Sequence, residues 1–327
     1  MARLISRRVL MCFFAGSAAL ILPTSAAAQS YPNKPIRMIV GLAAGGAADI
    51  TARLIGQEMS TTLGQPIVVD NRPGASGIIA YETVANSIPD GYTLAMVTAA
   101  VTTLPFLKKS LPYDIERDFA PVALASMSAH LLLVNPSVKA NSVAELIALA
   151  RSHPGKLSYA STGVGSAQHM AGEYFNIMAK TDIKHVAYKG GAASVLATLT
   201  GEVEVTYGSL VASVSQIQAG KLRALGITGT KRSSLLPSVP TISEAGLPGY
   251  DSIPWYGVMA PARTPKPIIA KLNQVIVKAG ESNNLKAAFG KLGLEPQTYT
   301  PAQLGELIRT ELVKNKKLVS QAGIKAD

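Results

Sequence analysis

The alternation of short apolar strands with amphipathic helices constrains the fold of this chain more than any other feature. Ile36–Val40 is typical of a buried strand, and Ile50, Leu54, Met59 and Leu63 then recur on roughly one face of a helix. Because parallel strands need a long crossover connection, usually a helix, a repeated order of this kind predicts an α/β fold with a mostly parallel sheet. The next two strands of this βαβαβ unit are predicted at 67–69 and 92–97.

The middle of the chain repeats the same alternation. Ser142 and Glu145 have the spacing of a capping box and predict the start of a helix that ends near Arg151. Two C-terminal helices are predicted to begin with proline at the first helical position, directly after Thr264 and Thr300. Further strands are predicted at 157–160, 183–188, 203–207 and 222–228.

Two long extended segments indicate where the chain passes between two domains. Neither of them, 120–134 or 250–261, has the Ser/Gly composition of a flexible linker. Two crossings imply that a middle domain is inserted into the first one. The prediction is a discontinuous first domain, 29–126 with 256–327, and a second domain, 127–255.

The N-terminus has the layout of a secretory signal peptide. Three arginines precede the apolar run 9–22, which is short for a membrane span, and a small-residue cleavage motif ends at Ala28. This predicts a cleaved signal peptide over residues 1–28 and a periplasmic protein, with a retained anchor and twin-arginine export as alternatives. Cys12 is the only cysteine, so a mature chain without it could form no disulfide.

Other functional classes have weaker signals. The formal net charge is +11, but the basic residues are scattered, which argues against a nucleic-acid surface. Ser166 and His169 could share a helix face, yet there is no G-x-S-x-G motif and no evident orienting acid, so no catalytic residue is predicted. The four histidines lack metal-ligand spacing, and neither a metal nor a cofactor is predicted.

Three loops that follow strands and open helices carry the strongest functional signal. They are Gly45–Asp49, Ser161–Ser166 and Tyr188–Gly191, all rich in small or hydroxyl side chains. A helix start exposes unpaired N–H groups and a partial positive charge, which suit a carboxylate or phosphate. Loops at the carboxyl ends of strands are also where open α/β sheets bind ligands. Each loop alone is more often a tight turn, but together the three predict an anion cleft.

Single residues in and near these loops allow more than one interpretation. Asp49 would repel a bound carboxylate, so it is predicted to cap its helix or to pair with the helix macrodipole, and thereby to shape the first loop. Lys189 is predicted to pair with the anion, with a solvated lysine as an equal alternative. Trp255, the only tryptophan, lies on the second crossing and belongs either to the cleft wall or to the core at the hinge.

Short motifs recur along the chain in a specific order and spacing. They are Tyr31–Arg37, Gly45–Asp49, Leu63–Pro66, Asn71–Gly74, Pro89–Leu94, Tyr188–Gly191, Gln218–Leu225, Lys231–Ser233, Leu236–Thr241 and Glu244–Tyr250. Their order resembles the Bug family, the TctC-like periplasmic solute-binding receptors of tripartite tricarboxylate transporters. The resemblance covers essentially the whole chain after the signal peptide.

The resemblance implies a two-domain periplasmic-binding-protein fold, of the type II Venus-flytrap kind with two crossover strands, that closes on a small organic acid by a hinge motion. It implies a membrane permease of a tripartite tricarboxylate transporter as partner. A co-receptor that docks a sensor protein is the alternative, and a monomer is expected because one closing cleft needs no second subunit. With Trp255 added from the crossing segment, the predicted ligand-binding residues are Ala44, Gly45, Gly46, Ala47, Thr98, Ser161, Thr162, Gly163, Ser166, Tyr188, Lys189, Gly190, Gly191 and Trp255.

The first loop departs from the pattern that this family commonly shows. Where relatives have P-F-x-P-G-G, this chain has Leu42, Ala43 and Ala44 ahead of the two glycines. The smaller residues predict a wider cleft wall in the first domain. The ligand is therefore expected among di- and tricarboxylates or bulkier acids such as aromatic ones.

Overall fold

The computed structural model describes residues 31–324, and the predicted signal peptide and Cys12 lie outside them. The described residues form two β-sheets flanked by helices. The strands are β1 (Ile36–Val40), β2 (Ile67–Asn71), β3 (Thr93–Thr98), β4 (Phe119–Met127), β5 (His130–Val134), β6 (Ser158–Ser161), β7 (Lys184–Ala187), β8 (Val205–Ser209), β9 (Arg223–Ile227), β10 (Trp255–Pro261) and β11 (Glu295–Pro296).

Ten α-helices connect and cover these strands within the described part of the chain. They are α1 (Ala47–Leu63), α2 (Ile78–Ala85), α3 (Leu104–Leu107), α4 (Val143–Ser152), α5 (Ala167–Ala179), α6 (Gly191–Thr200), α7 (Leu210–Gln218), α8 (Lys266–Glu281), α9 (Asn283–Gly290) and α10 (Pro301–Gln321). No helix among residues 31–324 is both long enough and apolar enough to cross a membrane.

The two sheets share one design. Sheet A has the order β11-β4-β10-β3-β1-β2, in which β1, β2 and β3 are parallel and β10 is antiparallel to both neighbours. Sheet B has the order β7-β6-β8-β5-β9, in which β6 is parallel to β7 and β8 while β5 is antiparallel to both neighbours. Each sheet therefore contains a parallel set of strands with helical crossovers and, inside the sheet, an antiparallel strand that belongs to a crossing. Sheet A also has the short strand β11 at its edge, antiparallel to β4.

Each sheet is packed against an apolar core of its own. Ile39, Val97 and Leu304 belong to the core on sheet A, whereas Tyr159 and Phe175 belong to the core on sheet B. We call each sheet with its helices a lobe, lobe A (α1, α2, α3, α8, α9 and α10) and lobe B (α4 to α7). Separate cores are what two domains require. The domain boundaries given above stay a prediction.

Two crossing segments connect the lobes and lie side by side. One is the short step from β4 to β5 through Ser128, and the other leads from β9 back to β10. The Ser128 N–H donates to the Pro254 carbonyl at 3.0 Å, and the Ser252 N–H donates to the Thr228 carbonyl at 2.9 Å. A pair of adjacent crossings allows the lobes to rotate about one line, as hinge closure requires.

Two of the predicted helix starts differ from the structure in detail. At α4, the Ser142 hydroxyl accepts the Glu145 N–H at 3.2 Å, but Glu145 Oε2 accepts the N–H of Asn141 instead of that of Ser142, so only half of the capping box forms. Pro265 precedes α8 as its N-cap and is not its first helical residue. The start of α10 at Thr300 has the complete predicted box.

Candidate ligand-binding cleft

Strand-end loops of the two sheets contact each other between the lobes. The Ser76 hydroxyl, after β2, donates to the Val164 carbonyl, after β6, at 3.3 Å. Gly165 packs so closely against lobe A that a Cβ added there would lie 2.6 Å from Leu107 Cδ1. The two lobes therefore present their strand-end loops to the same space, which is where α/β folds bind ligands.

The loop between β1 and α1 is held at both ends by one polar network. Asp49 Oδ2 accepts the Gly45 N–H at 2.9 Å and the Arg53 Nε–H at 3.0 Å. Arg53 Nη2 donates to Asn71 Oδ1 at 2.9 Å, and Asn71 Nδ2 donates to the Leu42 carbonyl at 3.1 Å. Since these contacts run from one end of the loop to the other, they determine its shape.

Asp49 shapes the loop from inside the helix and is not its N-cap. It is 2% exposed and third in α1, whose N-cap is Gly46 without a side-chain cap. Burial opposes the ionisation of Asp49, but hydrogen bonds from Arg53, Gly45 and Asn71 and the charge of Arg53 outweigh it and lower its pKa. Because no side chain caps α1, its first N–H groups remain able to meet an anion.

Ser161, one of the predicted ligand residues, is fully buried and serves the second loop itself. Its hydroxyl oxygen accepts the Gly163 N–H at 3.0 Å and lies 2.6 Å from His185 Nε2. A hydroxyl engaged in this way has little left to offer a ligand. The structure therefore places Ser161 behind the loop and not on its open side.

Thr162 and Ser166 lie at the more accessible positions of the same loop, and both are partly exposed. Ser166 is the N-cap of α5, where its hydroxyl oxygen accepts the His169 N–H at 3.2 Å and its own proton remains to be donated. Among the hydrogen bonds of the described residues, none involves the Thr162 hydroxyl. These two hydroxyls are the donors that this loop can direct at a ligand.

The third predicted loop is tied to the second one. The Tyr188 N–H donates to the Ser161 carbonyl at 2.9 Å, which brings the two loops together. The Tyr188 hydroxyl donates to Glu202 Oε1 at 2.8 Å, beyond the other end of α6. Gly190 is the N-cap of α6 with a φ of +102° and no side-chain cap, so this helix start also has unpaired N–H groups. Lys189 is exposed.

Thr98 and Trp255 have different surroundings. Thr98 ends β3, is partly buried and lies opposite Tyr256 in the sheet. Trp255 is 2% exposed, belongs to the core of sheet A together with Leu304, and lines a cavity of about 160 Å³ beside α10 and Ile253. These are the surroundings of a core residue at the hinge, and a role for Trp255 in the cleft wall stays a prediction.

Sequence reasoning missed two further strand-end segments. The turn 74–77 follows β2, holds Ser76 in a left-handed conformation with a φ of +56°, and makes the contact with Val164. Ser209 ends β8 and caps α7 by accepting the Ala212 N–H at 3.4 Å. Both segments could have been predicted from the sequence. The criterion used for the three predicted loops, a strand followed by a helix start with small or hydroxyl residues, applies to every strand that leads into a helix.

Three histidines, His130 and His169 buried and His185 partly buried, predict a loss of stability in mild acid. Burial lowers the pKa of His130 to about 4, of His169 to about 3 and of His185 to about 4, from an ordinary value of 6.5. The unfolded chain therefore binds more protons below about pH 6.5, so the free energy of unfolding falls as the pH falls, until the folded-state values are reached. We expect a slope of at most about 1.4 kcal/mol per pH unit for each histidine.

Urea unfolding at several pH values between about 7 and 5 measures this slope. This pH range lies above the one in which ordinary carboxylates titrate. His130→Gln should reduce the slope of the unfolding free energy against pH by the contribution of one histidine. An unfolding free energy that stays constant over this range would contradict the burial of neutral imidazoles.

The fold and the cleft together define a class of protein. Two α/β lobes with separate cores, two adjacent crossings and facing strand-end loops make a two-lobed solute-binding protein with the periplasmic-binding-protein fold. Within residues 31–324, no three His, Cys, Asp or Glu side chains are grouped so as to hold a metal ion.

The chain belongs to the tripartite tricarboxylate transporter family receptors (TctC), whose family model matches residues 51–324. Protein BugT of Bordetella pertussis is 35% identical to it, over 95% of this chain and 96% of BugT. The predicted resemblance to the Bug family is thereby confirmed.

Solved structures of relatives share the fold. Rpa4515 of R. palustris, determined with adipate, is 34% identical with a TM-score of 0.84 and covers 91% of this chain and 100% of its own. MatC of Rhodopseudomonas palustris, determined with bound malate, is 33% identical with a TM-score of 0.78 and covers 88% of this chain and 100% of its own. The predicted two-domain periplasmic-binding-protein fold is therefore confirmed.

Proposed function

We propose that the protein is a periplasmic receptor that captures a small organic carboxylate between its lobes and delivers it to the permease of a tripartite tricarboxylate-type transporter. The observation that carries this proposal is that a helix start without a side-chain cap follows a strand end in each lobe, at α1 in lobe A and at α6 in lobe B. Each start offers N–H donors and a partial positive charge to an anion. Adipate with Rpa4515 and malate with MatC support the same chemistry.

The predicted ligand residues form part of this proposal, with one change of role. Ala44–Ala47 and Gly190–Gly191 supply backbone donors, and the Thr162 and Ser166 hydroxyls supply side-chain donors. Ser161 supports the loop from behind. Binding by N–H and hydroxyl groups suits a carboxylate without requiring a fixed positive charge in the cleft.

The first loop bears on the size of the ligand. Leu42 is 37% exposed, and Ala43 and Ala44 are exposed beside it. Small side chains at this wall leave room that bulkier residues would fill. We therefore extend the proposal to acids larger than the smallest aliphatic diacids, including aromatic acids.

The first experiment is native mass spectrometry of freshly purified protein, followed by a thermal-shift panel of malate, adipate, citrate and benzoate. A ligand that binds only the folded state raises the unfolding temperature in step with the logarithm of its concentration above Kd. We expect at least one acid to do so. If no acid raises the unfolding temperature, the proposed function is wrong. If only malate, the smallest diacid, raises it, the proposal that the first loop admits larger acids is wrong.

Thr162 provides a charge test of the loop. Thr162→Asp places a carboxylate beside the proposed ligand carboxylate, and we expect the affinity for the best acid of the panel to fall at least about tenfold, since like charges repel strongly at short range. Isothermal titration calorimetry measures the change.

Thr162→Asn is the matched neutral variant and should lose much less affinity. Thr200→Asp, at the exposed end of α6, changes the net charge equally and should have no effect. Equal affinities of Thr162→Asp and Thr200→Asp would contradict a carboxylate bound at this loop.

The partner is tested by co-purification. We expect the receptor loaded with its acid to be retained by the permease of its transporter and the empty receptor to be retained less. If only a sensor protein retains the loaded receptor, the proposed role in transport is wrong and a role in signalling takes its place. The proposed binding of a carboxylate would be unaffected.

A further inference from the structure

Two histidines, the buried His169 and the partly buried His185, lie directly behind the loop between β6 and α5. His169 comes from the first turn of α5 and His185 from β7, and their rings stack with centroids 3.8 Å apart and an interplanar angle of 23°. His169 is only 3% exposed. Each ring contacts one end of the loop, so the pair supports the loop as a unit.

His169 holds the end of the loop that enters α5. Its Nδ1 accepts the Gly165 N–H at 3.0 Å, which assigns the ring proton to Nε2, 3.8 Å from Glu173 Oε1. The Ser166 hydroxyl oxygen accepts the backbone N–H of His169 at 3.2 Å. Only a neutral His169 in this tautomer can accept the Gly165 N–H.

His185 holds the other end of the loop. Its Nε2 lies 2.6 Å from the Ser161 hydroxyl oxygen, which also accepts the Gly163 N–H at 3.0 Å. The Ser161 hydroxyl is thus engaged by His185 and by the Gly163 backbone, whose carbonyl oxygen lies 3.1 Å from it, and the Gly165 N–H is engaged by His169. Neither group is left for a ligand. The Thr162 and Ser166 hydroxyls remain for the ligand.

The surroundings of the pair favour neutral rings. The Tyr159 ring lies 5.1 Å from the ring of His185 and 6.5 Å from that of His169, and the Tyr159 hydroxyl donates to Glu173 Oε1 at 2.7 Å. Burial lowers the pKa of both histidines, and burial raises the pKa of Glu173. A neutral ring can accept a hydrogen bond that an imidazolium cannot.

The position of this loop matters to both lobes. Gly165 has a φ of +77°, which favours glycine, and packs against Leu107 of lobe A, while the neighbouring Val164 carbonyl accepts the Ser76 hydroxyl proton. A loop that lost its support at Gly165 would therefore disturb both the ligand donors and the contact between the lobes.

We propose that His169 and His185 are positioning residues of the carboxylate cleft: as a neutral stacked pair they engage the Gly165 N–H and the Ser161 hydroxyl, and they thereby hold the Thr162 and Ser166 hydroxyls in place for a ligand carboxylate. This inference rests on the proposed function, because it concerns how the same loop binds.

The first test needs no ligand. In nitrogen-15 NMR spectra of the free protein, His169 should show an unprotonated Nδ1 and a protonated Nε2 that stay unchanged from about pH 7.5 to 5.5. In His169→Phe, which keeps an aromatic ring but has no acceptor, the Gly165 amide should exchange with solvent at least about tenfold faster. Titration of His169 in this range, or unchanged exchange at Gly165, would overturn the proposal.

The second test uses adipate, or benzoate if adipate gives no thermal shift, in isothermal titration calorimetry. His169→Phe should weaken binding at least about tenfold. His169→Asn should restore most of this loss, since its Oδ1 can accept the Gly165 N–H, and His185→Gln should likewise bind better than His185→Leu. His153→Asn, at the exposed end of α4, is the control that should change nothing.

Two results of the second test count against the positioning role. The first is that His169→Phe binds the acid with the affinity of the wild type. The second is that His169→Phe and His169→Asn lose the same amount of affinity while circular dichroism shows that both are folded. If the wild type binds no acid of the panel, the proposed function fails, while the exchange rate at Gly165 still decides whether His169 holds the loop.

Discussion

Replacing Gly172 with alanine is expected to lower the free energy of unfolding by about 3 kcal/mol. Gly172 lies in α5, and an added Cβ would be 2.3 Å from Tyr159 Cε2. The ring has no room to move, because Tyr159 is fully buried and its hydroxyl donates to Glu173 Oε1 at 2.7 Å and contacts the His169 carbonyl at 3.1 Å. Either the helix or the ring must shift, and urea unfolding measures the result.

Gly305 is the matched control for this substitution. It lies inside α10, and a Cβ there would make ordinary contacts, 3.6 Å from Pro121 Cγ. Gly305→Ala should therefore stabilise the protein by about 0.5–1 kcal/mol, as alanine does in an open helix. Combining Gly172→Ala with Tyr159→Leu should destabilise less than the sum of the two changes. A stabilising Gly172→Ala would show that α5 is not packed on Tyr159 in this way.

Asp49→Ala is expected to weaken carboxylate binding at least about tenfold and to lower the free energy of unfolding by about 2 kcal/mol. The substitution leaves the Gly45 N–H and the Arg53 guanidinium without their shared acceptor and frees the loop from α1. Calorimetric titration with the best acid of the panel gives the first number, and urea unfolding gives the second.

The sign of the binding change separates two roles of Asp49. If its charge acted mainly on the ligand, its removal would strengthen the binding of an anion, and tighter binding by Asp49→Ala would refute loop shaping. Glu58→Ala alters the charge of the same helix equally, and it should leave both numbers unchanged. Asp49→Asn keeps an acceptor for the Gly45 N–H and should recover part of the lost affinity.

Much of the local structure could be predicted because local chemistry determines it. Ile36, Met38, Ile39 and Val40 are all fully buried in β1, as a mostly apolar segment predicts for a strand covered on both faces, and only Arg37 among its residues is partly exposed. The complete capping box at Thr300 follows from side chains three residues apart. Such signals depend only on near neighbours in the chain.

The parts of the site that were missed depend on contacts distant in sequence. His185 is 24 residues from Ser161, and the contact between Ser76 and Val164 spans 88 residues. No local pattern distinguishes the buried Ser161 from the partly exposed Thr162 beside it. Trp255 likewise has no neighbour in sequence that would indicate its burial against Leu304.

By itself, the sequence determined the α/β class, the order of most strands and helices, and three of the loops at which helices begin, because apolar periodicity and capping act over a few residues. Only the tertiary structure decided which groups in those loops face the cleft. It turned the Ser161 hydroxyl and the Gly165 N–H toward two stacked histidines, and it bound the first loop to Asp49, Arg53 and Asn71. The physical reason is that a buried hydrogen-bonding group must find a partner, and packing between distant segments supplies it.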